Sequence, residues 1–390
     1  MGRFEEVGKH QMRVLLIDKN LVDPTNHKKW EYLAAKNGME LTAVTPTLWI
    51  ENFRRLSLAH SFQSKFPIAP LQVLWAGKEN RAFYLKGLGS EIRRFSPDVI
   101  LCFEEPFSFF ALQTLMLRHL YARSSKLVFY SWDNLAKGKH FGYRPPFLYA
   151  FIQRVSMKYA SMLLTANEEG TRFFERAYPI PVRKLYFGVD IDSSEENAAL
   201  IGLPRLNSFA DSFLVGYVGR LVEMKGIDTI ISAMALLDER VKLVILGGGP
   251  DRERLRLLTE ELHLSERTIF LSSVSSSEAR AVMRNLDVLV LPSRTTEHWK
   301  EQYGRVLIEA MALGIPVIGS SSGAIPEVVG ECGFIFPEND AASLANFVRQ
   351  LLCDEALRKK FSEKGLIRAR EFSSERFADN LYGFLMELGN

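Results

Sequence analysis

The sequence predicts an α/β protein of two domains, each built on a parallel sheet. Three observations predict it. The chain has 390 residues, more than one hydrophobic core normally serves. Short apolar runs of strand length alternate with helix-patterned stretches through both halves, the order that produces parallel sheets with crossover helices. Between the halves, residues 191–211 are polar and patternless, with Pro204 and Ser208 among them, and read as a linker. A first domain at 1–190 and a second at 212–373 follow.

Composition narrows the class. Apolar residues make up 47% and charged residues 24%, as in soluble globular proteins. No run reaches the ~18 apolar residues a spanning helix needs. The charged residues 1–11 feed a strand rather than the apolar core of a signal peptide, so a cytoplasmic protein is expected. Cys102, Cys332 and Cys353 show neither disulfide nor metal spacing and are expected as buried thiols. Residues 1–190 carry 27 Lys and Arg against 17 Asp and Glu, whereas residues 191–390 carry 22 against 29. The basic half is expected to meet something anionic. A membrane surface or an anionic acceptor suits it better than nucleic acid, for which the chain has no motif.

In the first half, Met12–Ile17 is an apolar run that reads as the first parallel strand. A polar turn with Asn20 and Asn26 leads to a helix from about His27 to Asn37, and Leu41–Val44 is the second strand. The two asparagines suit either an acceptor contact or the turn itself. Residues 47–86 are aromatic and basic without a clean period, including Trp49, Phe53, Phe62, Phe66, Trp75 and Phe83. They fit irregular core and loops, or a surface touching lipid or a lipid-linked acceptor. Asp98–Phe103 is a strand that ends in Glu104, Glu105 and Pro106. Two adjacent carboxylates at a strand's C-terminal end lie where open α/β sheets bind ligands, so Glu105 is a candidate acceptor contact or base, with helix capping as the alternative. Lys126–Tyr130 is another strand, ending in Ser131, Trp132, Asp133 and Asn134, and Trp132 and Asp133 join the acceptor candidates. No acid occurs between Asn134 and Asn167, while Lys137, Lys139, Arg144, Arg154 and Lys158 mix with Phe141, Tyr143, Phe147, Tyr149 and Phe151. That stretch is a candidate for peripheral contact with an anionic membrane, or else a helix with a solvated basic face. Ser161–Thr165 is a strand, and Asn167 is placed to cap the helix after it.

The second half opens with the buried strand Phe213–Gly219. Its loop, Arg220-Leu-Val-Glu-Met-Lys225-Gly226, enters a helix over Ile227–Leu237. Arg offers a planar fork and Lys a point charge, so this pair at a helix entrance can clamp a diphosphate. Strand Val241–Leu246 runs into Gly247-Gly248-Gly249, where backbone can approach a ligand closely. Thr268–Ser272 leads to Val274. Val288–Leu291 precedes the polar loop 292–302, and a helix begins near Gly304 with Val306, Leu307, Ala310 and Met311 on its inner face. Gly314 and Pro316 end that helix. Unpaired N–H groups at such a helix start attract phosphate. Glu301 and Glu309 bracket it, and carboxylates accept hydrogen bonds from hydroxyls. The unit suits a sugar or ribose joined to a diphosphate; an ordinary crossover with solvated charges is the plainer alternative. Helices over 341–351, 354–370 and 374–388 finish the chain.

The spacing Glu301-x7-Glu309 around Gly304, with Gly314-Ile-Pro-Val317 after it, resembles the signature of retaining glycosyltransferases of family 4, the group 1 glycosyl transferases. Gly219-Arg220-Leu-x-x-x-Lys225-Gly226 matches that family's donor-diphosphate loop, and Phe187-Gly-Val-Asp190 resembles the Asn-Gly-Val-Asp with which members end their first domain. The resemblance is strongest from Val215 to Gly333. It implies the GT-B architecture, two Rossmann-like domains facing across a cleft, with helix 374–390 crossing back to the first. It implies that Gly219, Arg220, Lys225, Gly248, Val274, Glu301, Tyr303, Gly304, Arg305 and Glu309 hold a nucleoside-diphosphate sugar. Glu309 is expected on the ribose and Glu301 at the donor sugar. Arg220, Lys225 and Glu301 would carry the transfer, with retention and without a metal. The acceptor would be a glycan, a lipid-linked sugar or another cell-envelope molecule, met at the inner face of the membrane. The chain departs from the family in lacking a glycine pair at the first strand-to-helix turn and in carrying Ser272 and Ser273 where a glycine is common, so base identity stays open. A GT-B epimerase and a non-catalytic scaffold are the rival readings.

Overall fold

The computed structural model describes residues 11–51, 54–58, 64–134, 145–191, 209 and 211–389. Two compact units emerge, residues 1–190 with 374–390 and residues 191–373.

The first unit contains β1 (Met12–Ile17), α1 (Lys28–Ala34), β2 (Met39–Pro46), the antiparallel pair β3 (Leu48–Glu51) and β4 (Arg54–Ser57), β5 (Ile68–Leu71), and a second small pair, β6 (Val73–Leu74) and β7 (Phe83–Tyr84). Then come α2 (Leu88–Phe95), β8 (Val99–Cys102), α3 (Phe109–Tyr121), β9 (Lys126–Ser131), α4 (Pro146–Tyr159), β10 (Met162–Thr165), α5 (Glu168–Ala177) and β11 (Val182–Lys184). Seven strands pair in the order β11-β10-β9-β8-β1-β2-β5, all parallel. Side chains alternate across the sheet. Val14 and Leu16 face a core with Trp30 of α1 and Phe377 and Leu381 of the C-terminal helix, Ser374–Gly389. Leu15 and Ile17 face the other, with Ile92, Phe110, Met157 and Phe174 from α2 to α5. Trp30 meets Phe377 edge-on at 5.1 Å.

The second unit contains β12 (Phe213–Val218), α6 (Ile227–Met234), β13 (Val241–Leu246), α7 (Arg252–Glu261), β14 (Thr268–Leu271), α8 (Ser276–Met283), β15 (Val288–Leu291), α9 (Arg305–Ala312), β16 (Val317–Ser320), α10 (Ile325–Val329), β17 (Gly333–Phe336), α11 (Ala341–Cys353) and α12 (Glu355–Glu371). Its parallel strands run β14-β13-β12-β15-β16-β17. The order reverses between β12 and β15, and the crevice beyond the C-terminal ends of such a pair is where doubly wound sheets bind ligands.

Several expectations are corrected. The first helix is shorter than 27–37, and the turn before it is two 3-10 segments, in which Asn26 Nδ2 donates to the Asn20 carbonyl at 3.0 Å. Among the described residues of 47–86, loops alternate with short strands the sequence did not show, the edge strand β5 and two antiparallel pairs, while Trp49 and Phe66 are buried and Trp75 is exposed. The helix after Gly226 ends at Met234, before Leu237. Cys102 and Cys332 are buried, but Cys353 is exposed, because it lies at the end of α11 off the stripe formed by Leu344, Val348 and Leu351. The linker expectation and the basic residues Lys137, Lys139 and Arg144, with Phe141 and Tyr143, fall largely or wholly outside the described residues, as do Phe53 and Phe62.

Candidate functional site

In the second unit, the loops after β12, β13 and β15 converge through their backbones. Gly219 N donates to the Leu246 carbonyl at 3.0 Å and Leu221 N to the Gly248 carbonyl at 2.9 Å. This seating needs glycine: a Cβ on Gly247, whose φ is +149°, would sit 1.8 Å from the Gly219 oxygen. Arg220 follows and is exposed, while its carbonyl accepts the Tyr217 hydroxyl at 2.7 Å. Burial, and after it the Glu301 charge, push the Tyr217 phenol well above its ordinary value.

Lys225 closes a 3-10 turn over Glu223–Lys225. Its ammonium lies 2.5 Å from Glu301 Oε2 and 4.9 Å from the centre of the Trp299 ring. Glu301 is nearly buried, and the same oxygen accepts from Ser293 Oγ at 2.7 Å. The backbone around Glu301 is held as firmly. Ala324 N donates to its carbonyl at 2.9 Å, and a Cβ on Gly323 would come within 2.0 Å of that oxygen. Loop 292–301 is tied to the β12 loop a second time, by Arg294, whose backbone N donates to Met224 O at 2.9 Å and whose guanidinium meets Asp228 at 2.5 Å.

Gly304 is the N-cap of α9, with φ +68° and no side chain capping the first turn. The uncapped N–H groups are the phosphate-attracting feature expected from sequence. Tyr303 is buried edge-on against Phe372 at 6.2 Å. Glu309 Oε1 accepts from Arg305 Nε at 2.8 Å, an i,i+4 pair on the outer face of α9. Gly248 is half-buried in the β13 loop, and Val274 is half-buried ahead of α8, next to the Ser275–Glu278 capping box. Lys225, Glu301 and Trp299 therefore form one cluster with Ser293. Arg305 and Glu309 form a separate pair, and Arg220 stands exposed on its loop. Sequence reasoning missed Ser293 and Trp299 as partners. The signal for Ser293 is its place two residues beyond β15, at the ligand edge of the sheet.

The first unit has its own strand-order reversal, between β1 and β8. A buried ion pair spans it: Glu104 accepts from Lys19 N at 2.9 Å and from Lys19 Nζ at 2.6 Å. Burial pushes the Glu104 carboxyl up to about 7 even though Lys19 pulls it down. Burial is the largest influence on the Lys19 ammonium and works against it, but Glu104, Glu79 and Asp18 together leave Lys19 above its ordinary value. Glu105 accepts from Ser131 Oγ and from Trp132 N, both at 2.7 Å. It does not cap α3; Ser108 does, accepting from Ala111 N at 3.1 Å. Burial, then the nearby Asp133 charge, push the Glu105 carboxyl up to about 8. Trp132 is half-buried beside Lys19, whose Nζ lies 5.3 Å from its ring centre, and Asp133 is buried. The candidates Glu105, Trp132 and Asp133 are thus neighbours on one sheet edge. Asn167 caps α5, accepting from Gly170 N at 2.8 Å. Among the described residues, no three His, Cys, Asp or Glu side chains are grouped to hold a metal, and no helix is long and apolar enough to cross a membrane.

Comparison with known proteins adds the following. Residues 204–368 match the family "Glycosyl transferases group 1". A D-inositol 3-phosphate glycosyltransferase of Corynebacterium jeikeium is 31% identical over 221 residues, covering 52% of this chain and 50% of its own. A phosphatidyl-myo-inositol mannosyltransferase of Mycobacterium leprae is 34% identical over 192 residues, covering 47% and 48%. The chain thus spans about half the length of the curated relatives it matches. Among solved structures, Anabaena HepE in complex with UDP superposes with a TM-score of 0.71 at 17% identity, over 96% of this chain and 100% of that one. A Rickettsia africae glycosyltransferase superposes at 0.72 with 14% identity, over 97% and 99%. The fold is GT-B, an α/β architecture with two parallel sheets.

Proposed function

We propose that this chain, whose second unit carries a group 1 glycosyl transferase domain, moves a sugar from a nucleoside-diphosphate donor to a hydroxyl of a glycan, lipid-linked or other cell-envelope acceptor. The observation that carries the reading is the Lys225–Glu301–Ser293 cluster at the reversal of strand order, beside an exposed Arg220 and an uncapped helix start. Cell-envelope acceptors are supported by the relatives: the mycobacterial protein is named for phosphatidyl-myo-inositol, and a Staphylococcus aureus relative for capsular polysaccharide biosynthesis. The curated relatives reported above are named as transferases, which favours transfer over epimerisation or a non-catalytic scaffold.

In this reading the bond from the anomeric carbon to the diphosphate oxygen breaks, a bond from that carbon to the acceptor oxygen forms, and the acceptor proton passes to the leaving phosphate. Negative charge grows on the diphosphate as it leaves. Arg220, Lys225 and the first N–H groups of α9 stabilise that charge, which is usually the largest catalytic contribution. Glu301 lies against the donor sugar and Glu309 takes the ribose hydroxyls, while Gly219, Gly248, Val274, Tyr303, Gly304 and Arg305 complete the donor pocket. Glu105, Trp132 and Asp133 meet the acceptor. Transfer retains the anomeric configuration, needs no metal, and takes place in the cytoplasm at the membrane surface. Product analysis by NMR after incubation with nucleotide sugars and a sugar-lipid acceptor tests this. The same anomer in donor and product, undiminished by a chelator, is expected. An inverted product, or loss of turnover with chelator, would overturn the retaining or the metal-independent part.

A further inference from the structure

We propose that the outer face of α2, α3 and α4 is a docking surface for an anionic lipid bilayer. It gives a location to the membrane contact named above and stands independently of the donor chemistry. The helix α3 packs between α2 and α4 on one face of the first sheet, with Ile92, Phe110, Leu115 and Met157 turned inward. What the three helices turn outward is unusual for a solvated surface. Phe147, Phe151, Arg154 and Lys158 follow one another at helical spacing along a single exposed stripe of α4, and Phe147 is 75% exposed and Phe151 60%. On α3, Met116 is 59% exposed and Leu120 66%. Isolated exposed apolar residues are ordinary, but four large ones on adjoining helices mark an interaction surface.

The charge is one-sided. Arg93 and Arg94 on α2, Arg123 just past α3, and Arg154 and Lys158 on α4 are all exposed. Glu91 is the one acid in the sequence of the three helices, and Arg94 holds it at 2.5 Å. The bias ends at α5, where Glu168, Glu169 and Glu175 interleave with Arg172 and Arg176. Cations beside protruding Phe, Leu and Met side chains match an interface where phosphate headgroups border acyl chains. A second copy of the chain is a poor occupant. A symmetric contact would set five cations against five, with Glu91, already paired to Arg94, as the one acid of the three helices to offset them.

The test is co-sedimentation of the full chain with vesicles of phosphatidylcholine alone and with phosphatidylglycerol added, at low and high salt. Phe147→Ser with Phe151→Ser and Arg154→Glu with Lys158→Glu are the variants; all four positions are exposed, so melting temperature should not move. The expected result is binding to the anionic vesicles only, release by salt, and loss of about tenfold or more in both variants. Equal binding by wild type and variants, binding to both vesicle types alike, or binding to neither would overturn the proposal. So would a solution dimer that the phenylalanine variant disperses, which would assign the face to a second copy. Nucleotide-induced thermal shifts on the same samples keep the two readings apart: their absence counts against sugar transfer and leaves the membrane proposal standing.

Discussion

Replacing Lys225 and Glu301 one at a time separates two roles that one ion pair conceals. Their side chains are only 13% and 10% exposed and meet at 2.5 Å, with Ser293 donating to the same carboxylate oxygen. Breaking a buried pair usually costs ~3–5 kcal/mol because one charge is left behind. Here Lys225→Met leaves Glu301 its Ser293 bond and some solvent, so about 2–3 kcal/mol of stability should be lost. A charge-assisted contact to diphosphate contributes about 1.5–3 kcal/mol, so the same variant should bind a nucleoside diphosphate roughly 10- to 100-fold more weakly. Glu301→Gln keeps the shape and removes the counter-ion. It should hold the free diphosphate as tightly as wild type or more so, and still fail to transfer sugar, because the carboxylate serves the sugar and not the nucleotide. Calorimetric titration with the diphosphate, paired with urea unfolding, reads both quantities. If Glu301→Gln lost affinity as severely as Lys225→Met, Glu301 would be a nucleotide ligand and the division of roles would fail. Undiminished affinity in Lys225→Met would remove Lys225 from the diphosphate site.

Three further predictions are independent of that pair. Glu105 has its carboxyl raised from the ordinary range to about 8, so the folded state binds a proton there more tightly than the unfolded chain does. Its contribution is fully present below about pH 4.5 and is lost as pH rises through 8; Glu105→Gln should flatten this decline in urea-derived stability between those limits, and an unchanged slope would refute the assignment. Gly247→Ala would place a methyl 1.8 Å from the Gly219 oxygen, so it should part the β12 and β13 loops, lower stability by roughly 2 kcal/mol or more and weaken nucleotide binding; a native-like melting temperature would show that the loops give way easily. Glu309→Ala removes a ribose acceptor and releases Arg305, and should weaken nucleoside diphosphate about tenfold while leaving inorganic diphosphate unaffected; equal losses for both ligands would place Glu309 elsewhere.

The alternation of strands and helices was legible because buried parallel strands are near-continuous apolar runs, as in Val14–Ile17 and Val288–Leu291. The segment 47–86 was not, since strands of two to four residues, such as Val73–Leu74, are too short to show a period. Gly304 could be read as a helix start, and the structure gives it the left-handed backbone of an N-cap glycine. The partners inside the site were harder. Lys19 and Glu104 lie 85 residues apart and Lys225 and Glu301 lie 76 apart, and nothing local in a sequence announces that such charges will meet. Glu105 was legible as a residue at the ligand edge, but its hydrogen bonds to Ser131 and Trp132 depend on β8 and β9 lying side by side, which only the fold supplies.

The most direct test of the central claim is thermal unfolding of wild type and Lys225→Met against a panel of UDP-, GDP-, ADP- and dTDP-sugars. A ligand at 100 times its dissociation constant stabilises the folded state by ~2.7 kcal/mol, a shift of several degrees. The account predicts that sugars of one base raise the wild-type midpoint and that Lys225→Met loses most of the rise. No shift with any donor, or an equal shift in both proteins, would contradict a donor site built on the second unit's Lys225–Glu301 cluster.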